Sequence, residues 1–339
     1  MIVVISVQTF RLLLIVFTLF DGINYTVCLA YEPIYLSGHK DNVYQIVLNG
    51  EESLLASASE DNLAIVWDLK TMSILQKLEH EKPIYDLAFL ENGKKLVTIG
   101  GDQFVRIWSV QTGKLFQSID ANFFPLYSLA ISSDESLLAV GGGEKKPTIS
   151  IYEFAKKKWI ASDSSQKKTI YGLAFHPLNT LIASSSSDHS IQLWDLKTNK
   201  KNLLLGHKSD VYRCKFSSDG KMLYSVSQDK TTKIWSIEKK SILASLAVSK
   251  DPLYSVCLFS NDQTIFVAGD EGIIHRIHLQ KVLKKTKNNE SNKFPSKEGI
   301  HNEIEFNKPI FSVTYNKKSK QLFTGLGNGK IRIDPFDPK

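Results

Sequence analysis

Trp67, Trp108, Trp194 and Trp235 stand at nearly equal intervals along the chain, and Tyr152 fills the one long gap between them. The steps are 41, 44, 42 and 41 residues. Self-similarity at a fixed period of this size marks an architecture of stacked or ringed units, each too small to bury its own apolar face. Within a unit the order is constant. A strand with an aromatic in its second place is followed by a polar turn such as SSDG (residues 217–220), then by a small-residue strand such as LLASAS (residues 54–59). An Asp-containing turn leads to an alternating strand such as LAIVWDL (residues 63–69), and a variable strand ends the unit. Four short strands of period two, separated by turn residues, predict one antiparallel sheet per unit.

The first strand of each unit is the most uniform. VYQIVL, IYDLAF, LYSLAI, IYGLAF, VYRCKF, LYSVCL and IFSVTY place Tyr44, Tyr85, Tyr127, Tyr171, Tyr212, Tyr254 and Phe311 directly after an aliphatic residue. Apolar residues then follow at a spacing of three and two, as at Val43, Ile46 and Leu48, so strict alternation fails once. A bulge at Tyr44-Gln45 explains the slip.

The paired Gly-His (Gly38-His39, Gly206-His207) and Trp-Asp (Trp67-Asp68, Trp194-Asp195) dipeptides resemble those of the WD-repeat family of β-propellers. The resemblance runs from Tyr31 to the C-terminus. Four polar positions recur at fixed offsets: His39, Ser57, Asp61 and Trp67, then His80, Thr98, Asp102 and Trp108, then His207, Ser225, Asp229 and Trp235. In the family these form a chain of hydrogen bonds from indole through hydroxyl and imidazole to carboxylate, so the resemblance implies structural tetrads rather than catalytic dyads. It further implies an all-β, seven-bladed propeller of four-stranded blades, in which the N-terminal strand EPIYL (residues 32–36) completes the last blade. The family's innermost strand is the first of each unit, which would put the seven aromatics in a collar near one end of the channel.

Departures from the pattern are expected to leave the blades in place. Gln166 stands where blade four would carry His, beside Ser184, Asp188 and Trp194. Blade three has Tyr152 for Trp and an insertion around Lys145-Lys146-Pro147, and blades six and seven lack both His and Trp. The segment at about 281–300, between units six and seven, is lysine-rich and reads as an exposed basic loop. Residues 1–30 stand apart from the repeat at 31–339. Arg11 precedes the apolar run LLLIVFTLF (residues 12–20), and Cys28-Leu29-Ala30 offers small residues at a cleavage site. This is the layout of a secretory signal peptide, with an uncleaved membrane anchor as the alternative.

Net charge is +7, carried almost wholly by scattered lysines, which predicts solubility and no nucleic-acid partner. No CxxC pair, Gly-rich phosphate loop, nucleophile elbow or HExxH is present. His275 and His278 lie three apart on one strand and propose no shared metal. The expectation is therefore no enzyme, no cofactor, no metal, and a monomer when alone. The reading is an exported protein-binding scaffold whose collar takes a peptide, a protein loop or an Arg or Lys side chain. The alternatives are an accessory or maturation factor for an exported enzyme such as a respiratory complex, and a propeller enzyme or small-ligand binder.

Overall fold

A computed structural model describes residues 2–7, 10–17, 26–259, 263–288 and 299–336. They form seven four-stranded antiparallel sheets and one three-stranded sheet. The seven are the blades of one propeller. Their inner strands are Val43–Leu48, Ile84–Leu90, Leu126–Ile131, Ile170–Phe175, Val211–Phe216, Leu253–Leu258 and Ile310–Asn316. Each sheet then runs outward in chain order to a peripheral strand, except the seventh. There the outermost place is taken by Ile34–Ser37, paired antiparallel with Lys330–Ile333. The first propeller strand thus completes the last blade and closes the ring, so no blade is left to splay from its neighbour.

The blades hold together through apolar layers at their interfaces. Val66, Leu78, Ile84 and Leu96 pack between blades one and two, and Leu36, Val43, Ile65 and Phe323 between seven and one. All are buried, so each small-residue strand reads as nearly continuous burial instead of alternation. Turns are set by short polar side chains. Asp68 of the first Trp-Asp pair accepts backbone N–H bonds from Lys70 at 2.7 Å and Thr71 at 3.0 Å. Asp195 does the same for Lys197 and Thr198. These caps aim the chain from the third strand into the fourth.

Two of the tetrads form continuous chains. Trp67 Nε1 donates to Ser57 Oγ at 2.9 Å, Ser57 Oγ lies 2.7 Å from His39 Nε2, and His39 Nδ1 lies 3.0 Å from Asp61. In blade five Trp235, Ser225, His207 and Asp229 repeat the chain at 2.8, 2.7 and 2.8 Å. The chain in blade two is interrupted. Trp108 donates to Thr98 and Thr98 meets His80 Nε2, but the Arg106 guanidinium takes both oxygens of Asp102 and sits 3.2 Å from His80 Nδ1. A cation with several donors outcompetes one imidazole N–H for the carboxylate. In blade four Ser184 Oγ donates to Gln166 Oε1 at 2.6 Å, while the Trp194 indole turns away to Asn199 Oδ1 at 2.9 Å.

The basic segment differs from its sequence reading. Leu279–Asn288 is a helix, α1, inside blade six, and the blade's outer strand Ile300–Glu305 follows the insertion. Leu279, Val282 and Leu283 lie on one helical face against Tyr224, Leu243 and Leu246 of blade five. Residues 289–298 lie outside the described residues. So do 1, 8–9 and 18–25 of the segment read as a signal peptide. Its strands Ile2–Val7, Phe10–Phe17 and Thr26–Tyr31 make the three-stranded sheet and join no blade. Among the described residues no helix is long and apolar enough to cross a membrane.

Two residues tie stability to this build, the first of them in the closing strand. Leu36→Ala empties a buried place in the closing strand and should lower unfolding free energy by about 2–5 kcal/mol in chemical denaturation. His80 is the second. Burial first, and then Arg106, lowers its pKa from 6.5 to about 4. A histidine kept neutral in the fold stabilises it fully above pH 6.5. That contribution is lost as pH falls toward 4, because the unfolded chain takes up the proton first. His80→Gln, which copies the solution of blade four, should therefore lose about 1–3 kcal/mol less than the parent between pH 7 and pH 4.5. Parallel urea curves for the two proteins over that interval would refute the assignment.

Candidate aromatic collar and channel floor

In all seven inner strands the pairing with the second strand skips one residue. Val43 pairs with Ser59 and Gln45 with Ala58, leaving Tyr44 unpaired. The same shift falls at Tyr85, Tyr127, Tyr171, Tyr212, Tyr254 and Phe311. An extra residue in a strand turns its side chain out of the alternation. Here the turn brings each aromatic toward its counterparts in the two neighbouring blades.

The close approach at each bulge explains a second pattern. Where the second strand ends in Ser59, Ser186 or Ser227, the hydroxyl donates to a carbonyl just before the inner strand, of Asp41, Lys168 and Ser209. Where Pro83, Pro125 and Pro252 precede the inner strand, the same place holds Gly100, Gly142 and Gly269. A Cβ there would meet the proline carbonyl oxygen at 2.0–2.1 Å. Gly142 of the GGG run thus sits where its own backbone approach leaves no room for a Cβ, while blade seven, where Pro309 precedes Ile310, carries Leu326 at the same place.

The seven rings close on themselves. Centroid distances run 5.6 Å from Tyr44 to Tyr85, 5.0 Å to Tyr127, 5.5 Å to Tyr171, 5.4 Å to Tyr212, 5.2 Å to Tyr254, 5.5 Å to Phe311 and 5.4 Å back to Tyr44. Most meet edge-on or tilted, and Tyr254 and Phe311 stack with an interplanar angle of 19°. Each ring is half-buried, so each keeps surface open to solvent. Carboxylates surround the hydroxyls. Tyr127 donates to Glu144 Oε1 at 2.9 Å. Burial, and after it the negative charge of Glu60, Glu144, Asp210, Asp251 or Asp270, raises the pKa of the collar tyrosines. The collar stays neutral and phenolic at physiological pH, in a field of negative sign.

The residues after the collar aromatics, one step further along the inner strands, are Gln45, Asp86, Ser128, Gly172, Arg213, Ser255 and Ser312. Several of these tie adjacent blades together by accepting a backbone N–H from the next inner strand. Asp86 accepts from Leu129, Ser128 from Leu173, Ser255 from Val313 and Ser312 from Ile46, at 3.0–3.2 Å. Arg213 does something else. Its Nη1 lies 3.8 Å from Asp86 Oδ2, joining blade five to blade two across the ring. Burial pushes the Asp86 carboxyl up, opposed by Arg213 and by the three hydrogen bonds the carboxyl accepts. The sequence reading missed this pair. Its only signal is that Asp86 and Arg213 are charged where the equivalent places are neutral.

The other sequence candidates lie elsewhere. The tetrads sit within the blades, with their hydroxyls and indoles buried. His275 is buried, with Nδ1 2.9 Å from Asn302 Oδ1 and Nε2 3.5 Å from Glu271. His278 faces His301 instead. Cys214 and Cys257 are free, buried thiols. Among the described residues no group of three or more His, Cys, Asp and Glu could hold a metal ion.

The family model for the WD domain, G-beta repeat, matches residues 31–68, 72–109, 158–195 and 198–236. These are the units that carry tryptophan; those that have lost it are unmatched. Among similar proteins, periodic tryptophan protein 2 of Arabidopsis thaliana is 28% identical over 202 residues, covering 58% of this chain and 22% of its own length. Eukaryotic translation initiation factor 3 subunit I of Culex quinquefasciatus is 24% identical over 329 residues, 90% of this chain and 97% of its own. The transcriptional corepressor LEUNIG_HOMOLOG of Arabidopsis thaliana is 24% identical over 222 residues, 64% of this chain and 27% of its own. The chain thus spans about a quarter of two of these relatives and nearly all of the third. Four matched units, three further blades of the same build and a ring closed by the first strand give this chain a seven-bladed β-propeller fold with WD40 repeats, a fold that generally serves as a scaffold for protein–protein interaction.

Proposed function

We propose that the collar is the principal binding site of a protein-interaction platform, and that it takes a lysine or arginine side chain presented by a loop or peptide of a protein partner. The closed ring of seven half-buried aromatics inside a set of carboxylates carries this reading. An aromatic face attracts a cation by about 0.5–2 kcal/mol, more as water is excluded. The surrounding negative charge selects a basic group over an acidic one and speeds encounter. The Arg213–Asp86 pair, one residue further along the inner strands, spans from blade five to blade two beside the rings. Names of relatives point the same way: one is a subunit of an initiation factor and another a corepressor.

Export is the second part of the reading. Residues 1–30 act as a signal that carries the propeller across a membrane and is then removed, and the propeller works as a monomer that docks its partner there. The support is the basic residue, apolar run and small-residue site in the sequence alone.

Affinity capture from the native source tests the collar. The parent protein should retain a stoichiometric protein partner, and joint replacement of Tyr85, Tyr171 and Tyr254 by Ala should weaken retention at least about tenfold, the equivalent of 1.4 kcal/mol. Unchanged capture by the triple variant would sink the proposal. For export, mass spectrometry of the native protein should find an N-terminus near Tyr31; an intact Met1 on cytosolic protein is the contrary result.

A further inference from the structure

Every blade of a propeller ends in a strand with one free edge, and a free edge invites pairing with another chain. Most edges in this molecule are disrupted. The pairing of the outer strand with the third strand shifts register in blades one, two, three, five and six. Blade seven is closed by a strand of only four residues. Such bulges and short strands are the usual protection against edge-to-edge addition.

Blade four lacks that protection. Its outer strand, Lys201–Leu205, pairs with Ser190–Trp194 without a shift and has no strand on its other side. Its side chains alternate cleanly. Leu204 is buried beside Val211 and Trp235 against blade five, while Leu203 and Leu205 are 54% and 68% exposed. Lysines flank the edge. Lys197 and Lys200 lie in the turn that leads into it. Lys240 Nζ donates to Asn202 Oδ1 at 3.1 Å, which brings the Lys239-Lys240 turn of blade five alongside. Lys197, Lys200 and Lys239 are exposed and make no ion pair among the described residues.

We propose that this edge is a strand-addition site, distinct from the collar, for an extended segment of another protein in which apolar and acidic residues alternate. The backbone of the incoming strand would pair with Lys201–Leu205, its apolar residues would cover Leu203 and Leu205, and its carboxylates would meet the lysines. A second copy of this chain is the poorer occupant, because it would bring two lysine-flanked edges of like charge together and add no alternating carboxylates to meet them.

The test uses the full chain and a fluorescein-labelled nine-residue peptide of alternating Val and Glu, with a Val–Lys peptide as control. Fluorescence anisotropy should show binding of the Val–Glu peptide that weakens with added salt, and at least tenfold weaker binding of the control. Amide hydrogen exchange at Lys201–Leu205 should slow on addition of the Val–Glu peptide. The double variant Leu203→Glu, Leu205→Glu changes exposed side chains only, so its circular dichroism should match the parent while its affinity falls at least tenfold. Equal affinity of the variant, or exchange at Lys201–Leu205 that does not slow, would overturn the proposal. So would a dimer seen by light scattering that the double variant abolishes, which would assign the edge to a second copy. The triple collar variant should bind this peptide as the parent does, so failure here and failure at the collar are separable.

Discussion

The pairing of Ile34–Ser37 with Lys330–Ile333 is the interaction on which the rest of the ring depends. It joins the two ends of the propeller in one sheet, and it leaves each inner strand flanked by two neighbours instead of one. Only in a closed ring do seven side chains from seven strands come within 5.0–5.6 Å of one another in sequence around an axis. Only there can Arg213 meet Asp86, three blades away. Loop-closure entropy opposes such a long-range contact, and the cost is met once, by the closing strand and the interface layers beside it.

Within that frame the blades solve the same hydrogen-bonding problem in different ways. The indole N–H, a hydroxyl and one more polar group must be satisfied at the core of each blade, since a buried unpaired donor costs about 1–3 kcal/mol. Blades one and five use His and Asp. Blade two inserts Arg106 between the same two residues, and blade four uses Gln166 and sends Trp194 to Asn199. Blades three, six and seven do without the indole. Tyr152 of blade three accepts instead from Gln117 at 3.3 Å. The tetrad is therefore one of several ways to satisfy a blade, while the bulged aromatic is present in all seven. A feature kept when the scaffold residues differ fits a role at the surface of the channel.

Fold and site were legible to different depths. Strand order, blade count and the closing strand could be read because turn residues and period-two alternation are local signals that repeat. The bulge could be read from a single slip in spacing, three then two, at Val43, Ile46 and Leu48. Helix α1 was harder, since Leu279, Val282 and Leu283 are few apolar residues in a lysine-rich run, and their partner surface is on another blade. The Arg106 intrusion left only a cation four residues after Asp102, a spacing that many exposed ion pairs share.

By itself the sequence determined what is periodic: a ring of seven sheets, a tetrad in the units that keep its residues, and one aromatic at the start of every inner strand. The tertiary structure decided what depends on angles and distances between blades. It turned the aromatics into a closed collar, put carboxylates around it and a cross-channel ion pair beside it, and left blade four with the one regular five-residue outer edge among the described strands. The physical reason is that a repeat pattern records which residues alternate within a strand. Which strands become neighbours across the axis, and which edges stay open, is settled only when the ring closes.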